Sequence, residues 1–89
     1  MPDTTYQILF TPRATRDFKK LGRIVLKRID KAILKLAGHP YPSGTRKIVA
    51  RDIAQYRIRV GDYRILYDVD ESAKAVVILR IGHRRDIYR

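Results

Sequence analysis

The chain has 89 residues and carries twenty Lys and Arg against nine Asp and Glu, a formal net charge of +11. That length holds one domain with a single core, and the lack of cysteine rules out disulfides and thiolate metal sites. So large a positive excess attracts polyanions, nucleic acid first, while no apolar run is long enough to span a membrane.

Tyr6 to Phe10 reads as a first strand. Thr11-Pro12 then marks a helix start, Thr as N-cap and Pro at the first helical position. Ala14, Phe18 and Leu21 share a face, and Gly22 is the expected stop. A second helix is expected over Arg23 to Ala37, where Val25, Ile29, Ala32, Ile33 and Leu36 keep the spacing of a buried stripe. The short link between the two predicts a helical hairpin. Gly38, Pro40, Pro42, Ser43 and Gly44 carry a loop toward Ala50.

The rest reads as β. Ile53 to Val60 and Tyr63 to Val69 alternate around a tight Gly61-Asp62 turn, and Lys74 to Gly82 supplies a last strand. The order is β-α-α-β-β-β. The expected fold is therefore α+β: a small antiparallel sheet with an N-terminal helical hairpin packed on one face. With no signal-like N-terminal run, a soluble cytoplasmic protein is expected.

Alternation also assigns faces. A two-residue turn pairs Val60 with Tyr63, Arg59 with Arg64 and Arg57 with Leu66. Tyr56, Ile58, Val60, Tyr63, Ile65 and Tyr67 then face the helices, and Arg57, Arg59 and Arg64 gather on the opposite side. Like charges across a strand pair destabilise, by something on the order of half a kcal/mol. They gain if an anion sits among them, because the planar guanidinium matches phosphate. The plainer reading is a solvated basic face that deters edge aggregation. Lys47 and Arg51 precede the hairpin and extend a phosphate track, and Arg85 adds to it at the C-terminus. Arg23, Lys27, Lys31 and Lys35 recur every four residues and read as the solvated side of the second helix. No His and carboxylate spacing suggests a metal, and no glycine-rich loop suggests a nucleotide cofactor.

The stretch Tyr56-Arg57-Ile58-Arg59-Val60-Gly61-Asp62-Tyr63-Arg64-Ile65-Leu66-Tyr67, followed by Ile81-Gly82-His83-Arg84-Arg85-Asp86-Ile87-Tyr88-Arg89, resembles the RelE branch of the RelE/ParE toxin superfamily. The Phe-Lys-Lys-Leu run at positions 18 to 21 is similar too, so the resemblance covers essentially the whole chain. It implies a type II toxin that enters the ribosomal A site and cleaves mRNA there without a metal. It also implies a cognate RelB-like antitoxin whose binding segment is acidic.

Carried over residue by residue, Arg57 and Arg59 match basic positions of the family. Arg64 matches the arginine of the Tyr-Arg pair, Arg84 the basic residue after the last strand, and Tyr88 the terminal tyrosine. His83 matches a variable position and, with Tyr88, is a candidate for proton transfer because arginine rarely gives up its proton. A chain ending at Arg89 is expected to lack the C-terminal helix of some relatives. The resemblance also allows a ParE-like inhibitor of DNA gyrase with the same fold and no nuclease activity.

Overall fold

The computed structural model describes residues 5–48 and 53–87. Seven elements follow in chain order: β1 (Gln7–Phe10), α1 (Pro12–Lys19), α2 (Arg23–Gly38), β2 (Arg46–Lys47), β3 (Tyr56–Val60), β4 (Tyr63–Asp70) and β5 (Ala75–His83). They form one five-stranded sheet in the order β1-β5-β4-β3-β2.

Thr11 starts α1 as its composition suggests. Its hydroxyl accepts from Ala14 N–H at 3.1 Å and donates to the Leu79 carbonyl at 3.2 Å, so the cap also ties the helix to β5. The helix stops at Lys19, earlier than expected, and Gly22 serves as the N-cap of α2 instead of the stop of α1. Ala14 of α1 and Ile29, Ile33 and Leu36 of α2 are buried in one cluster with Ile65, Tyr67, Val76 and Ile78 of the sheet. Both helices therefore cover the same face.

Four expectations about the sheet change. The sheet is not wholly antiparallel, because β1 lies parallel to β5, pairing Gln7 with Ala75 through Phe10 with Ile78. The strand expected from Ile53 begins only at Tyr56. There the Asp68 carboxylate accepts from Gln55 N–H at 2.7 Å and the Gln55 side-chain oxygen accepts from Val69 N–H at 3.1 Å, so side chains take the place of the ladder. The last strand starts at Ala75, because Lys74 adopts a left-handed φ of 51° inside the turn. The loop expected between Pro42 and Ala50 contributes β2, whose Arg46 pairs with Arg57 and Lys47 with Tyr56.

The far end of the sheet is pinned by Glu71. It accepts from Tyr6 Oη at 2.6 Å and from Tyr41 Oη, and pairs with Lys74 at 3.3 Å. The hydrogen bonds from Tyr41 and Tyr6 hold the Glu71 carboxyl below its ordinary range. Burial, then the bond to Glu71, pushes the Tyr41 phenol well up. Tyr67 lies fully buried and donates to the Pro40 carbonyl at 2.8 Å, which fixes the loop after α2; burial raises its phenol too.

Candidate RNA-binding and catalytic face

The hairpin register is the one the alternation requires: Arg57 opposes Leu66, Arg59 opposes Arg64 and Val60 opposes Tyr63. Tyr56, Ile58, Val60 and Tyr63 pack toward the helices, with Ile65 and Tyr67. Arg57, Arg59 and Arg64 consequently occupy the helix-free face. Arg46, which sequence reasoning passed over, pairs with Arg57 and so shares that face. Two residues on, Ile48 packs in the apolar cluster of Ala54, Leu66 and Ile87 on the same side, which fixes the facing of Arg46 independently. Lys47 pairs with Tyr56 and turns to the other side, away from the arginines. Arg51 lies outside the described residues.

A short apolar strip accompanies the cations. Leu66 is buried beneath Ile87, flanked by Ile48, Ile53 and Leu79. Ile87 reaches it because the chain after β5 makes one helical turn. Asp86 and Ile87 N–H groups both donate to the His83 carbonyl, at 2.9 and 3.0 Å. Gly82 makes room for this, since a Cβ there would lie 3.2 Å from the Ile87 Cδ1. The turn thus folds back over the sheet rather than leaving as a loose tail.

The Gly61-Asp62 turn gathers the rest. Arg64 is only 9% exposed, and its guanidinium donates to the Tyr63 carbonyl at 3.2 Å and, at the limit of hydrogen bonding, to Gly61 at 3.5 Å. Arg84 N–H donates to the Asp62 carbonyl at 2.8 Å, and its guanidinium stands 4.0 Å from the Asp62 carboxylate. Arg64 and Arg84 therefore converge on one turn from two strands. The exposed Arg84–Asp62 pair itself contributes little, about 0–1 kcal/mol. Arg85 is exposed on the same C-terminal turn.

His83 ends β5 opposite Tyr63, and its ring meets the Tyr63 ring edge-to-face at 5.4 Å. That puts it on the helix side, across the sheet from Arg57, Arg59 and Arg64. Its Nδ1 accepts from Arg85 N–H at 3.2 Å, so it shapes the turn that carries Arg84 and Arg85. Tyr88 lies outside the described residues. Among the described residues no group of His, Cys, Asp and Glu is arranged to hold a metal, and no helix is long and apolar enough to cross a membrane.

What the face offers chemically is a run of guanidiniums beside an apolar strip, open to solvent at Arg46 and Arg59. Such a surface can grip successive phosphates and stabilise extra negative charge on one of them.

Residues 8–88 match the family model described as the ParE toxin of the type II toxin–antitoxin system, parDE. The chain is 41% identical to Toxin RelG of Mycobacterium tuberculosis over 86 residues, covering 94% of this chain and 97% of that one. It is 24% identical to the mRNA interferase toxin RelE of Escherichia coli K12, covering 89% and 83%. Among solved structures, it superposes on the toxin–antitoxin complex RelBE2 of M. tuberculosis with a TM-score of 0.81 at 30% identity, covering 96% and 98%. The isolated E. coli RelE toxin shares the fold with a TM-score of 0.75, covering 88% and 83%.

Proposed function

The chain belongs to the RelE/ParE superfamily of type II toxins, and from that premise we propose that it is a metal-independent endoribonuclease that cuts mRNA in the ribosomal A site. The observation that carries this reading is the convergence of Arg57, Arg59 and Arg64 on one sheet face, with Arg84 bound to the same turn. Cleavage calls for cations that neutralise charge at a reacting phosphate, a task that inhibition of gyrase by binding alone does not include.

In the proposed reaction the ribose 2′-oxygen attacks phosphorus while a base removes its proton. The bond from phosphorus to the 5′-oxygen breaks, and an acid protonates that leaving oxygen. The products are a 2′,3′-cyclic phosphate and a 5′-hydroxyl. Arg57, Arg59 and Arg46 hold the flanking phosphates, and Arg64 and Arg84 neutralise the charge that builds at the reacting one. The fork of each guanidinium suits both tasks, and its high pKa keeps it charged throughout. Arg85 extends the track. The proton transfers belong to the C-terminal segment, with Tyr88 favoured over His83, whose ring faces the other side of the sheet. A cognate antitoxin with an acidic binding segment would silence the toxin by covering these cations.

The test is cleavage of a defined mRNA on programmed ribosomes. The chain should yield cuts in codon phase with 5′-hydroxyl ends, and Arg64→Ala and Arg84→Ala should each lose most of the rate. The ParE description of the matched family keeps the gyrase reading in view. Under that reading, mRNA stays intact while DNA supercoiling falls.

A further inference from the structure

The Gly61-Asp62 turn has a second side. Toward the helices a small pocket of about 170 Å³ lies against it, lined by Val25 and Arg28 of α2 and by Val60, Asp62 and Tyr63 of the hairpin. Val25, Val60 and Tyr63 are half-buried and pack on the core, so they give the pocket a fixed apolar wall. The Tyr63 ring is held edge-to-face by the His83 ring at 5.4 Å. Arg28 and Asp62 are exposed and supply the charged groups.

These two opposite charges line one pocket without pairing with each other. Arg28 makes no hydrogen bond or ion pair among the described residues. Its guanidinium rests on the turn: a Cβ added to Gly61, whose φ is 61°, would lie 3.1 Å from Arg28 Nη2. Among the described residues the Asp62 carboxylate has one charged partner, Arg84 at 4.0 Å, and a carboxylate has room for further donors.

A ligand here must present acceptors to Arg28, donors to Asp62 and a flat apolar body to Tyr63, Val25 and Val60. A phosphate fails, because Asp62 repels it. Guanine meets all three demands. Its O6 and N7 accept from a guanidinium fork, its N1–H and 2-amino group suit a carboxylate, and its ring stacks on an aromatic. Adenine lacks the carbonyl and both of those donors, and no pyrimidine sets an amino group beside a ring N–H.

We propose that this pocket seats a guanine base of the bound RNA, with Arg28 on O6 and N7 and Asp62 on N1–H and the 2-amino group. The proposal rests on the ribonuclease reading and adds a base-recognising pocket to its phosphate track. Asp62 joins the two, since its carbonyl accepts from Arg84 N–H at 2.8 Å while the residue lines the pocket. The base therefore belongs to a nucleotide adjoining the reacting phosphate. There the protein reads a base, where the arginine track reads only charge.

The test records amide NMR spectra of the full chain during titration with guanosine monophosphate and, separately, adenosine monophosphate. Both nucleotides should shift Arg57 and Arg59 alike, because they share the phosphate. The guanine nucleotide should in addition shift Arg28, Val60 and Tyr63, and bind about tenfold or more tightly than the adenine one. Asp62→Asn should bring the two affinities together, and Arg28→Ala should narrow their ratio. A merely structural role for either residue would weaken both nucleotides equally and leave the ratio unchanged. The proposal is overturned if the two nucleotides shift the pocket amides equally, if neither shifts them, or if the ratio survives Asp62→Asn. A chain that cuts no mRNA on ribosomes contradicts the ribonuclease reading, whereas the nucleotide titration decides the pocket by itself.

Discussion

Replacing Ile87 with alanine tests whether the C-terminal turn is part of the folded body. The side chain is 1% exposed and packs on Leu66 and Ala54 over the position that Gly82 leaves open. The substitution removes three carbon groups, each worth about 0.8 kcal/mol on burial, and leaves a cavity that this thin cluster only partly closes. The expected loss is about 2–3 kcal/mol, a large part of the ~5–15 kcal/mol of a typical small domain. Urea denaturation should show a lower midpoint with an unchanged slope if the turn unfolds with the rest. If the turn opens by itself, the midpoint holds and the Asp86 and Ile87 amides exchange faster instead. In both cases mRNA cleavage should fall, because Arg84 is carried to the Gly61-Asp62 turn by this packing. A variant with unchanged midpoint, unchanged exchange and unchanged cleavage would refute the reasoning.

The facing of β2 predicts that Arg46→Ala weakens RNA binding and flattens its salt dependence, whereas Lys47→Ala leaves both nearly intact; fluorescence titrations across ionic strength compare the two. Tyr67→Phe removes a buried hydroxyl that donates to the Pro40 carbonyl and should cost about 1–2 kcal/mol, read from the thermal midpoint, because that carbonyl is left without its donor. The lowered Glu71 pKa makes a pH prediction. Its contribution is present above the pKa of the unfolded carboxyl and is lost as pH falls through the lower folded value, so Glu71→Gln should reduce the acid-side slope of stability against pH. His83→Ala should slow cleavage far less than Tyr88→Phe, and the reverse order in single-turnover rates would return the proton transfer to the histidine.

The hairpin was legible because a two-residue turn and strict alternation leave only one register, and Arg57, Arg59 and Arg64 follow from it. The helix start at Thr11-Pro12 was legible for a similar reason: cap and proline chemistry is local. What local pattern could not supply is long-range. The parallel pairing of β1 with β5 joins segments more than sixty residues apart. β2 is two residues long, too short to show alternation, so Arg46 went unnoticed beside the more conspicuous Lys47. Its one available signal was the i, i+2 relation of Arg46 to the apolar Ile48. The facing of His83 depends on the β5 register, which shifts at a bulge between Leu66 and Tyr67. An irregularity of that kind moves the facing of every residue beyond it.

The central claim is that the guanidiniums converging on the Gly61-Asp62 turn cleave RNA. Its most direct measurement maps the 5′ ends of mRNA on ribosomes exposed to the chain and to Arg64→Ala, with circular dichroism verifying that the variant is folded. Codon-phased cuts from the chain, absent with the folded variant, are the predicted result. Intact mRNA with the chain, or equal cutting by both proteins, would contradict it.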